Sequence, residues 1–318
     1  MRGGIYPLCV GSERALQARE SARVAQKVGA TAVAHGCTAA GNDQVRFDIA
    51  LRAYAPEVKA IAPIRDLAPS RPDQVAYLKE RGLPVPPFGA DYSVNSGLWG
   101  VTIGGNETKT TDQTIPESAW QRTRGAFENP VPEERVTISF YKGRPDGLDS
   151  IKGNSVSAIE KIDAVAAKHG IGRGIHLGET VLGVKGRVAF EAPAATLLVA
   201  AHRELEKLVM TSRQIAAKDQ LAALYGDYVH TGQFPDPVCR DIEAFLASSQ
   251  ERVTGEVKVV LRTGSFMVEG VTSPYSLHSA SRAVYGEAVG EWEPRDAQGF
   301  CTIVGLPAVL HARAGRQP

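Results

Sequence analysis

The sequence predicts an α/β fold that begins with a partial parallel sheet of the Rossmann type and continues into an α+β region. Short apolar runs alternate with amphipathic helical runs as far as Gly82, which is the pattern of a parallel sheet covered by helices. After the proline cluster at 84–87 the spacing changes to longer alternating segments typical of antiparallel strands. A length of 318 residues is enough for about two domains.

The first region contains two recognisable strands among its helices. In order, the pattern predicts a helix at 12–28, a strand at 31–34, a helix at 43–54, a strand at 58–62 closed by Pro63, and a helix at 72–81. Two strands are too few for a doubly wound sheet. We therefore expect the natural protein to carry further strands before Met1, so that this chain is truncated.

The second region mixes loops, strands and helices. Residues 88–133 are rich in Gly, Ser, Thr and Asn and predict a long loop region. The pattern then predicts a strand at 136–141, a turn at 143–147, a helix at 155–168, a strand at 180–185, helices at 193–209 and 236–249, and antiparallel strands within 253–313 around an irregular excursion at 274–295. The glycine run at 169–174 lacks the spacing of a dinucleotide-binding loop.

Composition narrows the class of protein. With 43% hydrophobic residues, 22% charged residues and a net charge of +1, the chain gives no electrostatic reason to bind nucleic acid or an anionic membrane. It has no apolar run of the roughly 20 residues that span a bilayer and no signal-peptide core, which predicts a cytoplasmic location. The four cysteines form no C-x-x-C pair, which disfavours a disulfide framework or a zinc site.

The main functional prediction rests on residues 35–47, where the first strand passes through glycines into a helix. This is the place at which open α/β sheets bind ligands, and the helix start offers unpaired N–H groups to an anion. Gly36 and Gly41 permit close approach of the backbone to a ligand. Four side chains share this short segment and provide a hydroxyl, an amide, a carboxylate and a guanidinium: Thr38, Asn42, Asp43 and Arg46.

This set of groups suits a zwitterionic amino acid. Arg46 would bind a carboxylate and Asp43 an ammonium, while Asn42 or Thr38 could bind either group. The alternative is structural: Asn42 or Asp43 would be an ordinary helix N-cap, Arg46 a solvated charge and Thr38 a turn residue. Spacing by itself leaves both interpretations open.

The residue identities favour the first interpretation. The run H-G-C-T-A-A-G-N-D-Q-V-R-F at 35–47 resembles the H-G-x-T-x-x-G-N-D-Q-V-R-F segment of argininosuccinate synthase. Further resemblances follow in the same order over almost the whole chain: A-P-I-R-D at 62–66, G-L-P-V-P at 82–86, Y-S-V-N at 92–95, H-G-I-G-R at 169–173, K-G-R at 185–187, V-T-G-E-V at 253–257 and D-A-Q-G-F at 296–300.

The resemblance implies both architecture and activity. It implies an adenine nucleotide α-hydrolase-like, nucleotide-binding domain at 1–88 and a synthetase and multimerisation domain at 89–318. The enzyme would be an AMP-forming carbon–nitrogen ligase that joins citrulline to aspartate in arginine biosynthesis, with ATP and Mg²⁺, through a citrullyl-adenylate. It would be a homotetramer in which an aromatic-rich arm at about 270–318 crosses between subunits. The apolar helix at 193–209 is consistent with such assembly.

The resemblance also assigns site residues, although it identifies no general base and no metal ligand. Aspartate would be held by Thr38, Asn42 and Asp43. Citrulline would be held by Tyr6, Asn42, Arg46, Ser93, Thr102 and Glu179. The backbone at Gly36 would approach ATP.

Three positions depart from the family pattern. Gly11 replaces a serine, although Ser12 is adjacent, and Phe190 replaces a tyrosine. Gly178 falls on a citrulline-binding glutamate, and Glu179 is predicted to take its role.

The family's S-G-G-L-D-T-S loop, which grips the pyrophosphate of ATP, does not occur in these 318 residues. We therefore expect little or no ligase activity from them alone. One alternative function is a non-catalytic relative that binds amino acids and forms oligomers. Another is a different ATP pyrophosphatase of the same loop class, such as an RNA thiolase, for which Cys37 would be the sulfur carrier by proximity.

Overall fold

The computed structural model describes residues 7, 10–85, 92–149 and 151–316. The first region contains two parallel strands and four helices: α1 Val10–Val28, β1 Ala32–Ala34, α2 Asp43–Tyr54, β2 Lys59–Ile61, α3 Pro63–Leu67 and α4 Arg71–Glu80. Strands β1 and β2 pair in parallel, with Ala32 opposite Lys59. The predicted helices and the parallel pair are confirmed.

Small side chains let α1 and α2 pack closely. Ala22 of α1 and Leu51 of α2 are buried in one cluster with Ala55 and Val58, which lead into β2. Alanine adds little thickness to a helix, so the two helix axes can approach each other. This packing fixes the start of α2, where the predicted ligand-binding residues lie.

The described residues of the second region, 92–149 and 151–273, contain nine strands and four long helices. In order these are β3 Tyr92–Gly97, β4 Gly100–Gly105, β5 Glu134–Tyr141, β6 Arg144–Leu148, β7 Ile151–Lys152, α5 Ser155–Lys168, β8 Arg173–Glu179, β9 Lys185–Glu191, α6 Pro193–Val209, α7 Ser212–His230, α8 Pro237–Gln250, β10 Gly255–Arg262 and β11 Ser265–Thr272. The strands form two antiparallel sheets, of order β3-β4-β9-β8 and β11-β10-β5-β6-β7.

The largest core lies between the five-stranded sheet and helices α5 and α6. Ile138 and Val257 of the sheet, Ile162 of α5, and Leu197 and Leu205 of α6 are each at most 1% exposed. The apolar circumference of α6, which the sequence analysis related to assembly, therefore packs inside its own domain.

Two groups of hydrogen bonds connect the loop at 117–129 to the four-stranded sheet. The fully buried carboxylate of Glu191 accepts the backbone N–H groups of residues 121–123 at 2.6, 2.9 and 2.8 Å. Arg173 donates to both carboxylate oxygens of Glu117 at 2.7 Å. A buried carboxylate with several N–H donors is well satisfied, so the strands that carry these residues are held firmly.

Several predictions for this region were wrong. The loop predicted at 88–133 contains β3 and β4, because β4 pairs with β9 and gains a ladder that its polar composition did not suggest. The turn predicted at 143–147 is tighter: Lys142 and Gly143 take positive φ and β6 begins at once. The strand predicted at 180–185 is mostly the turn between β8 and β9, and helix α7 was not predicted.

Residues from Pro274 onward form a second compact unit. It contains the short helix α9 Leu277–Ala280 and the long helix α10 Pro294–Ala314. The strands predicted within 296–313 are wrong, since this stretch is helical despite its glycines and Pro307. Helix α10 exposes several large apolar side chains: Phe300, Ile303, Val304, Leu306, Val309 and Leu310. Within the described ranges, no helix is long and apolar enough to cross a membrane.

Candidate functional site

One pocket of about 530 Å³ gathers the residues that the sequence analysis singled out. It lies where the start of α1, the start of α2, the face of the four-stranded sheet and the end of α7 converge. Eight of the nine predicted site residues line it: Gly36, Thr38, Asn42, Asp43, Arg46, Ser93, Thr102 and Glu179. Tyr6, the ninth, lies outside the described residues.

The segment between β1 and α2 places the backbone at the pocket. Gly41 donates to the carbonyl of Thr38 at 3.3 Å, which closes a turn immediately before the helix. A Cβ added at Gly41 would lie 3.1 Å from the Thr38 hydroxyl oxygen, so a larger residue would crowd that hydroxyl. The turn thereby directs the start of α2, with its unpaired N–H groups, toward the pocket.

Asn42 connects this helix to the sheet. Asn42 occupies the N-cap position, but its side chain makes no capping hydrogen bond. Its Oδ1 instead accepts the N–H of Val181 at 2.8 Å, in the turn between β8 and β9. The structural interpretation of Asn42 as a side-chain cap is therefore wrong, and the residue holds two walls of the pocket together.

Asp43 is held between two guanidinium groups. Arg14 Nε donates to Asp43 Oδ2 at 2.9 Å, and Arg46 Nη1 donates to Asp43 Oδ1 at 2.9 Å. A carboxylate has about four acceptor positions, so these two contacts leave capacity for a ligand's ammonium. The Asp43 side chain is 34% exposed and can be reached from the pocket.

Arg46 is buried and oriented from behind by α7. Its side chain is only 4% exposed. Nε donates to the His230 carbonyl at 3.0 Å, and Nη2 lies 3.2 Å from His230 Nδ1. The interpretation of Arg46 as a solvated charge is therefore wrong, because its contacts fix the guanidinium at the pocket wall.

Arg14 joins three parts of the site and was missed by the sequence analysis. Besides Asp43, it contacts Asn95 on β3, where Nη2 donates to Oδ1 at 3.1 Å. Asn95 in turn lies opposite Thr102, 3.4 Å from that hydroxyl. In the sequence, Arg14 is one of several charged residues in an amphipathic helix, and nothing local distinguishes it.

Helix α7 supplies further pocket residues that the sequence analysis missed. Tyr225 and His230 both line the pocket. The Tyr225 hydroxyl donates to Glu243 Oε1 at 2.6 Å. Burial and the neighbouring Glu243 carboxylate raise the pKa of the Tyr225 phenol, so it stays protonated at neutral pH.

The structure gives a physical reason for one of the three departures from the family pattern and locates the side chain of a second. A Cβ added at Gly11 would lie 3.0 Å from the Val229 carbonyl oxygen, so α1 packs directly on the end of α7 at this point. Ser12 lines the pocket beside it. Phe190 places its ring over Gly174 and lines a separate cavity of about 530 Å³.

Glu179 is poorly placed to take over from Gly178. Successive residues of a strand point to opposite faces, so the two residues face opposite sides of the sheet. The Glu179 carboxylate lies 2.9 Å from Lys185 Nζ and its side chain is 57% exposed. Glu179 therefore contributes to the rim of the pocket.

The described residues bring no three His, Cys, Asp or Glu side chains together in a way that could hold a metal ion. Near the pocket, burial and the negative charge of Asp43 raise the pKa of the Cys37 thiol. A raised pKa keeps the thiol protonated and weakens it as a nucleophile, which argues against the sulfur-carrier interpretation.

Comparison with known proteins identifies the family. Two family models match: the arginosuccinate synthase N-terminal HUP domain over residues 1–84, and the arginosuccinate synthase C-terminal domain over residues 92–311. The chain belongs to the argininosuccinate synthase family. The family assignment and the predicted fold class are thereby confirmed.

Individual argininosuccinate synthases are similar along nearly the whole chain. The enzyme of Methanocaldococcus jannaschii is 40% identical over 306 residues, which cover 96% of this chain and 77% of that protein. The enzyme of Dehalococcoides mccartyi is 38% identical and that of Synechococcus is 36% identical, each match covering 98% of this chain and 77% of the relative. Membership makes the chain an enzyme of the ligase class, in a family that uses ATP as a substrate.

Proposed function

We propose that this protein catalyses the ATP-dependent ligation of L-citrulline and L-aspartate to argininosuccinate, with release of AMP and pyrophosphate, as a step of arginine biosynthesis in the cytoplasm. The observation that carries the proposal is the convergence on one pocket of eight of the nine residues that the resemblance assigned. These residues come from α2, the loop before it and the three strands β3, β4 and β8, and their convergence on one concave site supports a common ligand.

Aspartate would bind at the start of α2. Its ammonium would lie on the carboxylate of Asp43, which keeps acceptor capacity beside its two guanidinium contacts. Its carboxylates would accept hydrogen bonds from Thr38, Asn42 and the helix N-terminus. The Asp43 contact would hold the amine in place, and none of the described residues is assigned as the general base.

Citrulline would bind between α2 and the sheet. Arg46 would contact its carboxylate, since the guanidinium is fixed at the pocket wall and matches a carboxylate in shape. Ser93 and Thr102 would provide hydroxyl groups from the sheet, with Asn42, Tyr6 and the rim residue Glu179 alongside.

The reaction proceeds in two displacements. The ureido oxygen of citrulline attacks the α-phosphorus of ATP, a phosphorus–oxygen bond forms, and pyrophosphate leaves. The amine of aspartate then attacks the ureido carbon. The bond between that carbon and its oxygen breaks, and AMP leaves carrying this oxygen on its phosphate. Holding both amino acids in one pocket supplies the main contribution of these residues, because correct positioning can be worth about 7–11 kcal/mol.

Mg²⁺ would enter with ATP. Both oxygens of Asp43 already contact guanidinium groups, and the described residues contain no acidic cluster that fits the ion. Since Mg²⁺ is often bound through substrate phosphates, the proposal assigns it to the nucleotide and to no residue of this chain.

Titration calorimetry tests the amino-acid site, and turnover assays with ATP test the ligation. We expect saturable binding of aspartate and citrulline, and formation of AMP and argininosuccinate in equal amounts when all three substrates are present. Pyrophosphate release that does not depend on citrulline would contradict the proposal. Binding of both amino acids without any AMP would favour the non-catalytic relative.

The proposal includes a homotetramer. The apolar side chains that α10 exposes, among them Ile303 at 75% and Phe300 at 65%, are costly to leave in water and would be covered by neighbouring subunits.

A further inference from the structure

His176 lies on the pocket floor among glycines. In the hairpin of β8 and β9, Gly174 pairs with Phe190, His176 with Val188, and Gly178 with Gly186. Because side chains alternate along a strand, these six residues share one face of the sheet. His176, Gly178, Gly186 and Val188 all line the pocket, so in this part of the floor the imidazole is the polar side chain that a ligand meets.

The imidazole fills the space above Gly178. A Cβ added at Gly178 would lie 2.5 Å from His176 Nε2 and 3.2 Å from its Cε1. A side chain at position 178 and the present position of the ring therefore exclude each other. At this point the family resemblance implies a citrulline-binding glutamate, and here an imidazole stands in its place.

Among the residues that line the pocket, basic side chains outnumber acidic ones. Of the described residues that line it, two carry carboxylates, Asp43 and Glu179. Asp43 already contacts two guanidinium groups, and Glu179 lies at the rim beside Lys185. Four lining residues carry or can acquire a positive charge: Arg46, His176, Arg187 and His230.

Two amino-acid substrates bring two ammonium groups, and each of them needs a carboxylate partner in the pocket. Asp43 can take the ammonium of one of them. A second ammonium that bound on the floor near Gly178 would meet an imidazole, which is either neutral or positively charged and never an anion. A buried or half-buried ammonium without a carboxylate partner is poorly stabilised, whereas a neutral or anionic group suits an imidazole.

We propose that His176 and Gly178 determine the specificity for the ureido substrate, so that the pocket accepts ureido acids without an α-ammonium at least as well as citrulline. This inference rests on the proposed function. The added activity is the same pair of displacements. The ureido oxygen attacks the α-phosphorus of ATP, the adenylyl group is transferred to that oxygen, and pyrophosphate leaves. The aspartate amine then forms the new carbon–nitrogen bond, AMP leaves and one proton is released. The product is a guanidino acid that carries the succinate of aspartate.

The test compares citrulline with 5-ureidopentanoate, which is citrulline without its α-amino group. Titration calorimetry on the wild-type chain gives the ratio of the two Kd values, and turnover assays with ATP and aspartate give the ratio of kcat/KM. We expect 5-ureidopentanoate to bind as tightly as citrulline or more tightly. In the double variant His176→Ala with Gly178→Glu, the ring is removed and a carboxylate takes its place. The preference should then move toward citrulline by at least about tenfold.

Leu177→Glu is the matched control. Leu177 lies between His176 and Gly178 on the opposite face of the strand and is 57% exposed. The substitution therefore adds the same negative charge outside the pocket. The control should leave the ratio of the two Kd values unchanged. If it moves the ratio as far as the double variant does, a pocket role for the new carboxylate is refuted.

The wild-type measurement decides the inference even if the double variant does not fold. Citrulline binding more than about tenfold tighter than 5-ureidopentanoate in the wild type would overturn it and leave the proposed function intact. A folded double variant with an unchanged ratio would also overturn it. Failure of both ureido compounds and of aspartate to bind would instead refute the proposed function.

Discussion

Replacing Asp43 with asparagine tests the electrostatic arrangement at the start of α2. The substitution keeps the shape of the side chain and removes the charge that Arg14 and Arg46 both contact at 2.9 Å. One of the two carboxylate oxygens becomes an NH₂ group, which is a donor. At least one guanidinium would then face a donor and lose its hydrogen bond.

The expected cost lies between those of a buried and an exposed ion pair. Breaking a buried pair costs about 3–5 kcal/mol, whereas an exposed pair is worth about 0–1 kcal/mol. Arg46 is 4% exposed and Asp43 is 34% exposed, so the pair is half-buried. We expect the free energy of unfolding to fall by about 1–3 kcal/mol. Aspartate affinity should fall at least about tenfold, because its ammonium loses a charged partner.

Urea denaturation followed by circular dichroism measures the stability, and titration calorimetry measures the affinity for aspartate. Asp66→Asn is the matched control, since Asp66 accepts from Arg65 Nε at 2.9 Å but is 59% exposed. The control should lose less than about 1 kcal/mol and bind aspartate normally. Equal destabilisation of both variants, or unchanged aspartate affinity in Asp43→Asn, would refute the reasoning.

Three further predictions concern acid stability, backbone strain and assembly. The hydrogen bonds from Arg173 lower the pKa of Glu117 from 4.5 to about 2, so this contact stabilises the fold above pH 4.5 and is lost as the pH falls toward 2. In urea titrations at pH 5 and pH 3, Glu117→Gln should therefore lose less stability on acidification than the wild type, by about 1 kcal/mol after solvent screening. Gly172 has φ +91°, and an added Cβ would lie 2.6 Å from the Ala192 backbone, so Gly172→Ala should lower the free energy of unfolding by about 2–4 kcal/mol. Gly183 has φ +80° but open space around it, so Gly183→Ala should lower it by about 1 kcal/mol. Equal losses in the two variants would contradict the steric argument. Light scattering should give a tetramer, and removal of residues 274–318 should leave lower oligomers, whereas a stable monomer of the intact chain at micromolar concentration would rule out assembly through that segment.

Local sequence determined the elements whose signals are complete within a few residues. Helix α5 was predicted with its observed bounds, because Asn154 caps it and accepts the N–H of Ser157 at 2.9 Å, and because its apolar residues recur at helical spacing. Helix α2 likewise begins and ends where it was predicted. The ordered motifs also determined the family, since several short matches in one order carry more information than any single match.

Tertiary structure alone decided how these residues act together. The resemblance assigned Asp43 to aspartate and Arg46 to citrulline, but the two side chains contact each other, so we expect a change at either one to disturb both proposed ligands. The contacts that fix this pair come from far along the chain. Arg46 reaches His230 across 184 residues, and Arg14 reaches Asn95 across 81.

Such long-range contacts leave no local pattern. Strands β3 and β4 are polar enough to be interpreted as loop, and they become a sheet only because β9 supplies a hydrogen-bonding partner. The same holds for His176, whose position over Gly178 follows from the side-chain direction in a folded hairpin. The sequence shows which residue types are available to bind a ligand. The distances between them, and the balance of their charges, are determined only when distant segments pack together.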